Sequence, residues 1–331
     1  MKLLFLYNDP IHAWPLLEAR RAAAAIGVEL DAREERAVER VGEHLAGSWD
    51  SLLIHQELMS QQVIDCGRPV VILERIDGAQ LGRSRRWISQ VAGVLKGFCL
   101  RPPELHNQYR GRVLAHRLRA AGIRGDKTTC AVDGLPEPLA GEDLAKIRPF
   151  YGFGAYRARM PFLETVPDLA AGRSTAVHFA GTVSYDETEV ETHRRTAVAV
   201  CRKITRGVGH AGRYFGQVDR YIASLVASRA VLSPWGWGEA CHRDYEAWAL
   251  GAVVIKPDSD YVEGWPDVYR SGETYLACRP DWADVPELVD RVKCDWKRLE
   301  PMRRRCRMLA EQAADPVAIA GRLKTLLEAL L

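Results

Sequence analysis

The sequence predicts an α/β fold of two Rossmann-like domains in tandem, with a ligand cleft between them. Three observations carry this. Apolar runs alternate with helical patterns through the first hundred residues. The same alternation restarts near residue 176, after an irregular proline-containing stretch. The chain has 331 residues, 47% of them hydrophobic, enough for two cores of ordinary size.

The first series opens with Lys2–Tyr7, a run apolar at nearly every position, followed by the turn formers Asn8, Asp9 and Pro10. Runs of this kind fit strands covered on both faces. A helix is expected over residues 14–26 and a short strand over 28–32. Ser51–His55 and residues 69–73 are further strands, with helical patterns at 34–45 and 61–66 between them. This alternation implies parallel βαβ units. Residues 101–172 are less regular and hold seven prolines and the segment FYGFGAY, so the domain junction is placed near Gly172. The second series runs through strands at 176–180, 213–215, 230–232 and 252–255, with helices at 193–206, 221–228 and 245–250. An amphipathic helix closes the chain at 317–331. The expected division is 1–172, 173–315 and a final helix, 316–331, that packs back on the first domain.

Composition removes several function classes. Lys plus Arg number 46 and Asp plus Glu 43, a net charge of +3, which does not suggest a nucleic-acid binder. The eight cysteines contain no CxxC pair, so neither a zinc site nor a disulfide framework is expected. The apolar N-terminal run is too short for a signal peptide, and no run reaches the ~18 residues of a membrane span. The expected location is cytoplasmic.

The most informative stretch is residues 233–257, SPWGWGEACHRDYEAWALGAVVIKP. Pro234, Gly236 and Gly238 end a strand at Leu232 and form a tight loop whose backbone can approach a ligand closely. A helix starting near Glu239 would present an N-terminus that favours an anion such as a diphosphate. Glu239, His242, Arg243 and Glu246 are spaced by three, four or seven and would line one face of it. A carboxylate there can grip a ribose diol, and cations can oppose charge developing on a leaving phosphate.

This segment resembles the donor-binding segment of GT-B glycosyltransferases, particularly the group-one-like bacterial enzymes. The order Glu246-Ala-Trp-Ala-Leu-Gly251 followed by an apolar strand matches their pattern. The resemblance implies that Glu246 holds the ribose hydroxyls. Those enzymes often carry a second glutamate eight positions upstream; position 238 here is Gly238, and Glu239 is the nearest carboxylate. A weaker resemblance covers His178-Phe-Ala-Gly-Thr182 and His193-Arg-Arg195. It implies a backbone turn against the nucleotide at Gly181 and a phosphate contact from Thr182. The nucleotide-sugar site expected on these grounds comprises Gly181, Thr182, Ser233, Trp235, Gly236, Trp237, Gly238, His242, Glu246 and Lys256. Glu239, Arg243, His55 and Asp9 are the catalytic candidates.

Blander readings stand beside these. Read alone, Trp235 and Trp237 are core aromatics, Glu246 a surface carboxylate, Arg243 and Lys256 salt-bridged surface residues, and His242 a structural or rim residue. Asp258-Ser-Asp260 spells a metal-binding DxD, but three residues match cheaply, and the segment reads as a loop; no metal is expected. The basic segment 293–307 reads by default as a solvated face, with peripheral contact to an anionic membrane surface as the sharper alternative. In the first half, Asn8, Asp9, His12, His55, Gln56, Glu57, Glu74, Arg75 and Asp77 follow strand ends, where open α/β sheets bind ligands.

The expected activity is metal-independent transfer of a sugar from a nucleotide-sugar to a hydroxyl acceptor, whether glycan, lipid-linked or small molecule; the resemblance points to retaining members of the family, and the residues leave retention or inversion open. The nucleotide-sugar is a co-substrate, and no cofactor is expected. The rivals are an epimerase or phosphorylase on the same fold and a non-catalytic nucleotide-sugar-binding protein.

Overall fold

The computed structural model describes residues 1–75, 78–108, 113–124, 137–155, 168–169, 172–185, 188–204 and 218–331. The first half builds β1 (Lys2–Tyr7), α1 (Pro10–Ala25), β2 (Glu29–Glu34), α2 (Gly42–Leu45), β3 (Ser51–His55), α3 (Gln61–Ile64), β4 (Val70–Glu74), β5 (Gly93–Lys96), β6 (Phe98–Leu100), α4 (Val113–Ala120), α5 (Gly141–Leu144) and β7 (Ile147–Pro149). Six of these strands form a parallel sheet in the order β2-β1-β3-β4-β5-β7. The strand order reverses at β1, which lies between β2 and β3. In open α/β sheets the crevice at such a switch point receives the ligand.

The second half builds β8 (Thr175–His178), α6 (Thr188–Ile204), α7 (Val218–Ala227), β9 (Ser228–Leu232), α8 (His242–Ala249), β10 (Val253–Pro257), β11 (Val262–Gly264), β12 (Leu276–Cys278), α9 (Val285–Cys294), α10 (Glu300–Ala314) and α11 (Pro316–Leu330). Its sheet is separate and parallel, in the order β12-β10-β9-β8. The strand expected at 213–215 lies outside the described residues.

The halves exchange elements. β6 leaves the first sheet and pairs antiparallel with β11. Phe98, Leu100, Val113, Leu114 and Leu118 are buried in the same cluster as Val177, Val231 and Ile255 of the second half. In return, α11 packs on α1: Ile319, Leu323, Leu326 and Leu327 share a core with Leu3, Phe5 and Leu16. Arg322 also donates to the carbonyl of Pro149 at the end of β7.

Three local expectations are revised. The helix at 34–45 is replaced by the end of β2, a loop and the short α2. The cause is Glu35, whose buried carboxylate accepts from the N–H groups of Arg36 and Ala37 and lies 3.1 Å from His44 Nε2; the chain winds around it instead of coiling. Helix α1 starts earlier than expected, at Pro10, because Asp9 caps it by accepting from Ile11 N and His12 N, and proline suits a first helical turn. Helix α8 starts later, at His242. Cys241 is its N-cap and Asp244 reaches back to the Cys241 N–H, so Glu239 lies outside the helix and not on the face it was expected to share.

Candidate active site at the strand ends

In the second half the site is built where β8 and β9 end. Arg243 is the second residue of α8. Its Nε donates to the carbonyl of Ala180 (2.8 Å), and its guanidinium lies 4.9 Å over the ring of Phe179. Arg194 reaches the same place from α6. It donates to the carbonyls of Thr182 (2.6 Å) and Trp235 (2.9 Å) and sits 4.9 Å over the ring of Tyr185. Both arginines are buried, and neither pairs with a carboxylate among the described residues. Burial, with Arg243 alongside, pulls the Arg194 guanidinium down to about 10.

Gly181 is where the two meet. Its φ is +155°, and a Cβ there would collide with Arg243 Nη2 and stand 3.0 Å from Arg194 Nη2. Gly236 closes the other side: its absent Cβ would stand 3.2 Å from Tyr185 Oη and 3.5 Å from Arg194 Nη1. Trp237 is 42% exposed and packs 5.3 Å from the ring of Tyr185, forming an aromatic rim beside the arginines. Thr182 is exposed and contributes its carbonyl to Arg194. His242 is half-buried at the first position of α8.

One turn further along α8, Glu246 is mostly buried and accepts from the phenol of Tyr221 on α7. Burial pushes its carboxyl up.

Several candidates serve the scaffold instead. Lys256 was expected at the phosphates. It is fully buried on β10, 3.2 Å from Asp244 Oδ2, because Asp244 points inward and also accepts from Ser233 Oγ and from Tyr269 Oη (2.6 Å). Ser233 is thereby committed to the same buried network. Trp235 is 1% exposed and donates to Ser259 Oγ, so it walls the core. Glu239, placed near the donor sugar by sequence, is enclosed: it accepts from Ala79 N (3.1 Å) and Tyr261 Oη (3.3 Å). Gly238, next to it, is buried. Asp260 accepts from Tyr275 Oη and Ser271 N, and Asp258 from Asp260 N. The basic segment 293–307 is divided between α9 and α10. Lys293, Arg298, Arg304 and Arg305 pair with Asp290, Asp295, Glu300 and Glu273, while Arg303 turns inward over Trp296.

In the first half a polar group gathers at the ends of β1, β3 and β4, the switch point of that sheet. Arg75 donates to Asp9 (2.9 Å) and Asn8 (3.2 Å) and pairs with Glu57 (2.9 Å). Asp9 Oδ2 lies 2.7 Å from His12 Nδ1. Partial burial works against ionisation of Asp9, but the hydrogen bonds from His12 and the α1 backbone outweigh it and hold the carboxyl at about 2. His55 sits behind, fully buried, 3.0 Å from Asn8 Oδ1; burial, then Arg75 and His12, push its imidazole down to about 3. His55 therefore orders Asn8 from within, and His12, with 40% of its side chain exposed, is the imidazole that solvent reaches. The sequence marked the strand ends, but it touched Arg194 only within the weaker resemblance at His193-Arg-Arg195 and gave it no role.

No family model and no curated protein sequence matches the chain. Among solved structures it is similar to sucrose-phosphate synthase from Thermosynechococcus elongatus, with a TM-score of 0.53 at 12% identity over 100% of this chain and 99% of the other. The chain has the GT-B fold. Looser similarities under this heading are a protein described as a UDP-N-acetylglucosamine 2-epimerase from Listeria monocytogenes (TM-score 0.46, 11% identity, 99% and 96% of the two chains) and the pneumococcal O-GlcNAc transferase GtfA (0.43, 13%, 88% and 59%). In GT-B terms, the arginine pair lies in the C-terminal domain and the Asp9–His12–Arg75 group in the N-terminal domain. No helix among the described residues is long and apolar enough to cross a membrane.

Proposed function

We propose that this GT-B protein is a glycosyltransferase that moves a sugar from a nucleoside diphosphate donor to a hydroxyl acceptor. The observation that supports this most is the arginine pair. Two buried guanidinium groups lie side by side with no carboxylate at ion-pair distance among the described residues, and one of them stands in the first turn of a helix, at the positive end of its dipole. The repulsion between the two cations and the place at the helix start are unfavourable in the empty protein, although around Arg243 burial is outweighed by the neighbouring Cys241, Tyr221, Asp244 and Glu246, which hold its guanidinium up. A bound dianion turns both features favourable, and perturbed charged groups of this kind mark functional sites.

In this reading Arg194, Arg243 and the start of α8 hold the diphosphate, with Gly181 leaving the room it needs. Glu246 and Tyr221 take the ribose. The acceptor hydroxyl lies at the switch point of the N-terminal sheet, by His12. As its oxygen bonds to the anomeric carbon, the bond from that carbon to the phosphate oxygen breaks. The hydroxyl proton passes to His12, which Asp9 orients. The electron pair leaves with the nucleoside diphosphate, whose growing charge the arginines oppose.

The test is a thermal-shift screen of sugar nucleotides and nucleoside diphosphates, followed by product analysis with the best donor. A ligand at 100 times its Kd stabilises the folded state by about 2.7 kcal/mol, enough for a clear rise in Tm. The reading fails if no nucleoside diphosphate raises Tm. Conversion of the donor sugar without any acceptor would make the protein an epimerase.

A further inference from the structure

Glu239 joins the two halves. Its carboxylate accepts the buried N–H of Ala79, 160 residues earlier in the chain, and the phenol of Tyr261. Each side of this contact is held firmly. On the N-terminal side, Glu74 at the end of β4 forms a fully buried ion pair with Lys96 of β5 (2.8 Å). Glu74 also accepts from Gly82 N (3.0 Å) and Ser84 N (3.2 Å), and Lys96 donates to the carbonyl of Gly78. Loop 78–84 is thus tied at both ends to one buried pair, and Arg75 of the acceptor-side group is the residue directly after Glu74. On the C-terminal side, Glu239 ends the glycine loop that carries Gly236 and Trp237, two residues before the N-cap of α8.

Resting on the nucleotide reading above, we propose that Glu239 is a positioning residue: it pins the glycine loop beside the arginine pair to loop 78–84, keeping the donor and acceptor groups in register. A buried carboxylate is a poor way to gain stability, since an apolar side chain of similar volume fills such a place at less cost. What it supplies is direction, because a hydrogen bond to one backbone N–H fixes where the opposing loop stands. Burial also raises its carboxyl pKa, against the Ala79 and Glu239 N–H groups, the Tyr261 phenol and the charge of Lys256, which favour ionisation.

The test combines nucleotide titration with hydrogen exchange, using whichever of UDP, GDP, ADP and dTDP raises Tm most. In the wild-type protein, saturation with that diphosphate should slow exchange of the amides at 79–84 about fivefold or more. In Glu239→Met, which has similar volume but offers Ala79 no oxygen acceptor, the diphosphate should bind within about twofold of wild type, yet the response of 79–84 should vanish. The Ala79 amide should also exchange about tenfold faster without ligand. Tyr261→Phe, which keeps the bond to Ala79, should retain the response. An unchanged response in Glu239→Met would overturn the proposal. So would a tenfold loss of diphosphate affinity there, which would make Glu239 a ligand contact. If no diphosphate binds the wild-type protein, it is the nucleotide reading that fails; equal ligand-free exchange of Ala79 in both proteins overturns the positioning role on its own.

Discussion

Arg194 and Arg243 approach the same glycine from different helices. A methyl group on Gly181 would stand 3.0 Å from Nη2 of Arg194 and would overlap Nη2 of Arg243. The guanidinium groups are fixed from behind by backbone carbonyls at 2.6–2.9 Å, so their outer nitrogens are set before any ligand arrives. Such preorganisation is what a site for a charged leaving group requires.

Gly181→Ala follows directly. The new Cβ would force Arg243 aside, and the positive φ disfavours any side chain. Diphosphate affinity should fall about tenfold or more, with a modest loss of Tm. Wild-type affinity in a calorimetric titration would mean that the arginines do not face the ligand across this glycine.

Glu246→Gln keeps an acceptor for the Tyr221 phenol while removing the charge. A hydrogen bond to a charged group contributes about 1.5–3 kcal/mol, so nucleotide affinity should drop about tenfold while Tm changes little. Equal dissociation constants for wild type and variant would remove Glu246 from the ribose site.

Lys256→Met should act on stability. It strands the Asp244 carboxylate in the core, and breaking a buried pair this way costs about 3–5 kcal/mol. Urea unfolding should show the loss. A folded, equally stable variant with weakened diphosphate binding would return Lys256 to the phosphate site.

Stability should depend on acidity through three buried histidines. Burial is the first cause holding His55, His106 and His193 down at about 3, against about 6.5 in the unfolded chain. The unfolded state therefore binds more protons between these values. The stabilisation is complete above about pH 6.5 and is lost as pH falls toward 3, by up to about 1.4 kcal/mol per pH unit for each histidine. Urea midpoints at pH 7.5, 6 and 5 test this; a flat profile would show that these imidazoles protonate within the fold.

Much of the architecture was legible in the sequence, because strands buried on both faces leave continuous apolar runs such as LLFLY and VVIL. What was not legible depends on partners distant in the chain. Residues 34–45 have helical spacing, but Glu35 captures the backbone beside it. Lys256 follows an apolar strand just as a phosphate ligand would, and only the fold reveals Asp244 beneath it. Glu239 shares helical spacing with Arg243 and Glu246, yet the Cys241–Asp244 cap starts the helix after it. Arg194 was touched only by the weak His193-Arg-Arg195 resemblance, since its meaning arises when α6 lies against the start of α8.

The central claim is that the arginine pair binds a nucleoside diphosphate. It is tested most directly by titrating the best-stabilising diphosphate, and the corresponding nucleoside, into wild-type, Arg194→Ala and Arg243→Ala proteins. The account predicts that each substitution weakens the diphosphate about tenfold or more, while the weak binding of the nucleoside stays the same in all three. Equal diphosphate affinity in the three folded proteins would contradict it.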